Sequence, residues 1–92
     1  MIEFEWDKKK AKSSEKKHGV NFSEASTIFG DPQELTIGDA EHSVGEYRFL
    51  SIGRSSSGNI LVVSYTERKQ NLIRIISARK ATKKELKYYE QN

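Results

Sequence analysis

The segment 74–85, RIISARKATKKE, carries an apolar, strand-like run directly into a cationic helix start. That junction sets the guanidiniums of Arg74 and Arg79 and the ammonium of Lys80 beside an edge that has to be buried, a setting suited to a bound phosphodiester. Arg48 and Arg68 fall on or next to two further apolar runs, so planar cationic forks recur along the second half of the chain. Breaking a phosphodiester through a neighbouring hydroxyl without a metal needs a proton acceptor, cations to offset the charge of the transition state, and an acid for the leaving oxygen. The cations are plentiful. For proton transfer the residue types on offer are His18, Glu46 and Tyr89, imidazole being the side chain that exchanges a proton near neutral pH.

Each candidate also has a structural use. Arg79 can stack over Tyr88 or Tyr89 or cap a carbonyl, and Arg74 can form an ion pair with a carboxylate such as Glu46. His18 can simply close a helix. Glu46 and Arg48, two apart in GEYR, share a strand face as either a carboxylate base beside a phosphate-binding arginine or a half-exposed salt bridge. Tyr89 either meets the substrate, donating a proton or stacking on a base, or packs its helix onto a sheet. Alternation over 72–79 puts Arg74 and Arg79 on opposite faces, so they share a site only if the strand ends or bulges near Ser77. His42 with Asp39 and Glu41 fits no metal-ligand spacing and reads as loop hydrogen bonding.

The elements that must position these groups follow from periodicity. Ile2, Phe4 and Trp6 alternate with Glu3, Glu5 and Asp7, the pattern of a half-buried strand. Asp7 caps a helix to about Lys17, closed by His18-Gly19; Ser23 caps a second, short helix that Gly30-Asp31-Pro32 stops. A weak strand over 34–37 leads to a polar stretch, 38–45, and three stronger strands follow at 46–53, 60–66 and 72–79. The short links RSSSGN and 67–71 demand antiparallel neighbours. Thr82 caps a last helix to about Gln91, with Glu85 at the capping-box position. The order predicts an α+β domain, its helices packed on one face of an antiparallel sheet.

Composition limits the alternatives. Ninety-two residues make one domain over 1–92, because a chain this short buries only about 60–65% of its unfolded surface. There is no cysteine, so no disulfide framework or thiolate chemistry is open to it, and a reducing cytoplasm suits it. No secretory signal is visible and no apolar run approaches the roughly 20 residues of a membrane span. The net charge of +3 is unevenly laid out. Over 1–20 six lysines face four carboxylates, +2; over 21–46 there are six carboxylates and no Lys or Arg, −6; over 47–92 ten bases face three acids, +7. Converging basic segments would attract a polyanion such as RNA while the acidic middle faces elsewhere.

FEWDKKK at 4–10, KHGVNF at 17–22, GEYRFLSIG at 45–53 and the 74–85 segment together resemble the BrnT family, the toxin half of a bacterial type II toxin–antitoxin pair. The resemblance implies a RelE-like fold and a metal-independent endoribonuclease that needs no cofactor and inhibits translation. It further implies a BrnA-like antitoxin in a hetero-oligomeric complex that a toxin dimer would support, and operator DNA bound through that antitoxin. It favours Arg79 as a catalytic cation, and Lys10 and Lys17 match family positions in the first helix and are expected to contact RNA backbone. Arg68, Arg74 and Lys80 complete the expected RNA-binding set, with Arg48, Glu46, His18 and Tyr89 beside Arg79 in catalysis. The chain departs from the family at Ser14, where many members carry asparagine, and at Leu86, where they carry a base. The contrasting reading is a nucleic-acid-binding module or regulatory protein that cleaves nothing.

Overall fold

A computed structural model describes residues 1–43 and 45–91. It is built on β4 (Ile60–Lys69) and β5 (Leu72–Lys80), a long hairpin whose turn, Gln70-Asn71, sets Asn71 in the left-handed region at φ 65°. Asparagine tolerates that conformation, so the link is tighter than the five residues expected and β4 runs on to Lys69. β3 (Phe49–Arg54) pairs antiparallel with β4, and β2 (Leu35–Gly38) with β3. β1 (Glu3–Glu5) lies on the far side of β5, giving the order β1-β5-β4-β3-β2. β1 runs parallel to β5, Glu3 opposite Leu72, so the sheet is mixed and not wholly antiparallel.

α1 (Lys8–His18) starts where Asp7 accepts a hydrogen bond from the Lys10 amide at 3.0 Å and ends at Gly19, φ 73°, as its sequence dictates. α2 (Phe22–Ser26) is capped by Asn21 and not by Ser23: Asn21 Oδ1 takes the Glu24 amide at 2.7 Å. The helix then tightens into a 3₁₀ turn, Thr27–Gly30. α3 (Lys83–Glu90) begins at the full capping box of Thr82 and Glu85. Among the described residues no helix is long and apolar enough to cross a membrane.

The helices occupy both faces of the sheet. α1, α2 and the 3₁₀ turn cover one, where Val20, Phe22, Ala25 and Ile28 meet Leu61, Val63, Ile73, Ile75 and Ala78. Each large apolar side chain wholly buried there contributes about 1.5–3 kcal/mol. α3 packs on the other face, Tyr89 against Ile52 and Val62. The expectation that all helices share one face fails because alternate residues of β3 and β4 are apolar on both sides at this end. Residues 46–48 also lie outside any strand. Arg48 directs its amide to the Ser43 hydroxyl and its carbonyl to the Asp39 amide, so its backbone is held by the loop.

β5 is irregular at one place. Tyr65 pairs with Ile75 and Ser64 with Ser77, which leaves Ile76 as an extra residue. β1 pairs β5 only as far as Arg74. Further along that edge, Ser14 of α1 accepts from the Ala78 amide and donates to the Ala78 carbonyl, both at 3.3 Å, although it is a polar residue only 8% exposed. Ser14→Ala leaves a buried amide and carbonyl without that partner and should lower unfolding stability by about 1–2 kcal/mol. Urea denaturation with an unchanged slope would show it; a variant as stable as the parent would refute this role.

Candidate nucleic-acid interface

The bulge decides which side chains meet. Arg74, Ser77 and Arg79 stand opposite Thr66, Ser64 and Val62, alternate residues of an unbroken stretch of β4, and so share one sheet face. Regular alternation would have separated the two arginines. This is the face α3 covers only at its Arg79 end. Lys80 pairs with Leu61 and so lies on the opposite face, where its charge helps hold the Glu24 carboxyl below its ordinary value, after the hydrogen bonds from Asn59 and Ser55. It does not join the arginines.

Each arginine is held by a carboxylate. Arg79 grips Glu85 through two parallel bonds, 2.6 and 2.9 Å, the fork geometry that fixes a guanidinium in orientation. Glu85 simultaneously takes the Thr82 amide, so the helix cap and the arginine share one anchor. Its carboxyl is pushed down to about 2 from the ordinary 4.5, first by the Arg79 hydrogen bond. Arg74 bonds Glu5 at 2.9 Å, not Glu46, and Arg68 stands 3.8 Å from the same Glu5 oxygen. Arg74 also adds to the charges that keep Asp7 low, the Lys10 amide being the main cause. Arg48 lies 3.6 Å from Glu46, and its buried Nε makes no hydrogen bond among the described residues.

Where β1 stops, a groove of about 240 Å³ opens between α1 and β5, lined by Lys10, Ser14, Lys17, His18, Ile76 and Ser77. Lys10, Ser14, Lys17 and His18 recur at helical spacing, which puts them on one stripe of α1. Ser14 fastens that stripe to β5, and the lysines and imidazole flank it. The ring of His18, half-buried, makes no hydrogen bond among the described residues. Ser77 belongs both to this groove and to the arginine face, with Arg79 two residues, roughly 7 Å, further along. Ser77 therefore links the groove of His18, Lys10 and Lys17 to the face of the β5 arginines.

Three expected participants are placed elsewhere. Tyr89 is 3% exposed, and its hydroxyl donates to Asp31 at 2.6 Å, a bond that raises its pKa above the usual 10. Its ring lies against Val62, the cross-strand neighbour of Arg79, but its phenol is turned to the loop after the 3₁₀ turn. Glu46 and Arg48 sit at the opposite end of the sheet from Arg79. His42 Nδ1 is 2.9 Å from Asp39, a loop contact. Sequence reasoning overlooked Glu5 and Glu85 as arginine partners and Ser77 as the hinge between groove and sheet face. Glu85 was visible as a cap, and nothing local tied it to Arg79.

A sequence model of the family described as the ribonuclease toxin, BrnT, of type II toxin–antitoxin systems matches residues 6–85. No curated protein matches the chain in sequence. Among solved structures, the 1.1 Å crystal structure of the Brucella abortus ribonuclease toxin, BrnT, is similar with a TM-score of 0.69. The match covers 90% of this chain and 100% of that one at 19% identity, and shows a common fold.

The Arg79–Glu85 pair has a measurable pH signature. Because the folded carboxyl titrates below its ordinary 4.5, its contribution is complete above that value and is lost as pH falls towards about 2. Glu85→Gln should lower stability at pH 7 by about 1–2 kcal/mol and flatten this acid limb. Urea unfolding from pH 7 to 2 compares the two proteins; parallel limbs would show that the pair does not hold the junction.

Proposed function

Because the chain belongs to the BrnT family of ribonuclease toxins of type II toxin–antitoxin systems, we propose that it is a metal-independent, RelE-like endoribonuclease that cleaves cytoplasmic RNA and so arrests translation. The carrying observation is the bulge at Ile76, which lines up Arg74, Ser77 and Arg79 on one face beside the groove of His18, Lys10 and Lys17. In this reading an RNA phosphate lies over Ser77. Arg79, oriented by Glu85, and Arg74, oriented by Glu5, neutralise the charge that builds on its oxygens. His18 takes the proton of the ribose 2′-hydroxyl as that oxygen attacks phosphorus, and the ammonium of Lys17 gives a proton to the departing 5′-oxygen. The products are a 2′,3′-cyclic phosphate and a free 5′-hydroxyl.

Lys10 holds a flanking phosphate, and Arg68 and Arg48 with Glu46 lie further along the strand path. Tyr89 anchors α3, and with it Glu85, instead of transferring a proton. Metal independence is supported by the engagement of the carboxylates: Glu5, Glu46 and Glu85 each face an arginine. A type II toxin has an antitoxin partner. We assign a BrnA-like protein to that role, covering the basic face in a hetero-oligomer that reaches operator DNA through the antitoxin.

One observation favours a binder that cleaves nothing: Arg48, Arg68, Arg74 and Arg79 each already have a carboxylate partner. Incubation of a single-stranded RNA in EDTA with the parent, Arg79→Ala and His18→Gln, followed by mapping of product ends, separates the readings. Cleavage to cyclic-phosphate ends, slowed roughly 10²–10³-fold by Arg79→Ala with a much smaller loss of RNA affinity, is the expected result. Intact RNA on free transcripts and on translating ribosomes alike, with salt-sensitive binding retained, would establish the binder.

A further inference from the structure

A second cavity, about 500 Å³, lies at the end of the sheet opposite α3, and none of the roles above uses it. Its volume falls in the range of small-molecule clefts, roughly 300–1,000 Å³. Gly45, Glu46, Tyr47, Phe49, Glu67 and Arg68 line it. Adjacent residues of a regular strand point to opposite faces, yet Glu67 and Arg68 both line this cavity. The cavity sits near the end of β4, where Thr66 also borders it, and the strand is irregular here: Glu67 pairs with Ile73 and Lys69 with Leu72, leaving Arg68 extra. A carboxylate and a guanidinium are thereby brought to one place.

The aromatic residues are arranged for contact with a flat ligand. Phe49 is backed by Tyr65, centroids 5.6 Å apart and planes at 26°, and Tyr65 in turn meets Phe29 edge-on at 5.0 Å. Tyr47 is 81% exposed, although its carbonyl is fixed to β4 by the Thr66 hydroxyl at 2.7 Å. An anchored backbone thus carries a solvent-facing ring. The Glu67 carboxylate makes no hydrogen bond or ion pair among the described residues, while Glu46 is drawn to Arg48.

We propose that this cavity is a subsite that reads a guanine of single-stranded RNA, stacking it on Tyr47 and Phe49 and contacting its edges through Glu67 and Arg68. The assignment rests on the ribonuclease reading and adds a base preference to it. Aromatic faces take any base, so the edge groups decide. Guanine sets N1–H and the N2 amino group side by side, which one carboxylate accepts through both oxygens. Its O6 and N7 accept the two N–H groups of an arginine fork. Uracil turns carbonyls towards the carboxylate, and adenine and cytosine each place an acceptor nitrogen beside their single amino group. Arg68 and Arg74 converge on Glu5, so the phosphates next to the bound guanosine lie over Arg74 and lead along β5 to Ser77.

The test uses uncleavable 2′-O-methyl hexamers, one of adenosines only and one carrying a single guanosine, titrated in EDTA against the full chain, Glu67→Gln and Tyr47→Ala. The parent should bind the guanosine hexamer roughly tenfold tighter, and both variants should bring the ratio close to one. In cleavage of a mixed-sequence RNA, cuts should fall at a fixed offset from guanosine for the parent and lose that offset in Glu67→Gln. Cleavage without any guanosine offset would overturn the subsite while leaving the ribonuclease standing; neither binding nor cleavage would overturn both. A preference that survives both variants, or variants that weaken only the antitoxin complex, would place guanine reading elsewhere and give the cavity to the protein partner.

Discussion

The outer edge of β5 is the constraint on which the structure turns. Its inner edge is satisfied by β4, but its outer amides and carbonyls need partners along its length, and no single element supplies them. β1 pairs with the first part, and the Ser14 hydroxyl takes both backbone groups of Ala78 further along. Changing partner at this point fixes where α1 lies, and α1 in turn covers the apolar face of the hairpin beside α2. The gap between the two partners is the groove where His18, Lys10 and Lys17 meet Ser77. The candidate site is therefore the seam of the fold.

Irregularity gives the sheet its chemistry. Both extra residues, Ile76 in β5 and Arg68 in β4, fall where side chains of opposite parity must act together. The first puts Arg74 and Arg79 on one face, and the second sets Glu67 beside Arg68. Carboxylates then hold the guanidiniums in place. An arginine tied through two of its N–H groups, as Arg79 is to Glu85, has lost much of its rotamer freedom before any ligand arrives. Partial exposure of these pairs keeps their contribution to stability modest.

Local rules made much of this legible in the sequence. The Asp7 cap, the Gly19 stop, the Thr82–Glu85 box and the four later strands follow from spacing alone, because each depends on residues within a turn or two of one another. What could not be read depends on distant pairing. Nothing in 2–7 specifies a parallel partner, and so Glu5, the shared counterion of Arg68 and Arg74, was missed. The bulge at Ile76 looks like ordinary alternation in IRIISAR; it is fixed by how the strand must meet both β4 and α1. Likewise the apolar residues of α3 do not say which sheet face receives them. Ser14, noticed only as a departure from a family pattern, proved to be the link between α1 and β5.

The pairing of β1 with β5 also sets when the protein can exist during its own synthesis. Glu5 and Arg74 are separated by 69 residues, and Arg79 meets Glu85 later still. Contacts so remote in sequence form after the local turns and the hairpin, since closing the intervening loop comes at an entropic cost. A nascent chain emerging N-terminus first therefore presents β1 and α1 without the strand they complete, and its first-half cations without the arginine face. For a member of a ribonuclease toxin family this ordering has a cellular meaning. The arginine face is whole only once β5 and α3 have both left the ribosome, so a nascent chain short of them lacks it.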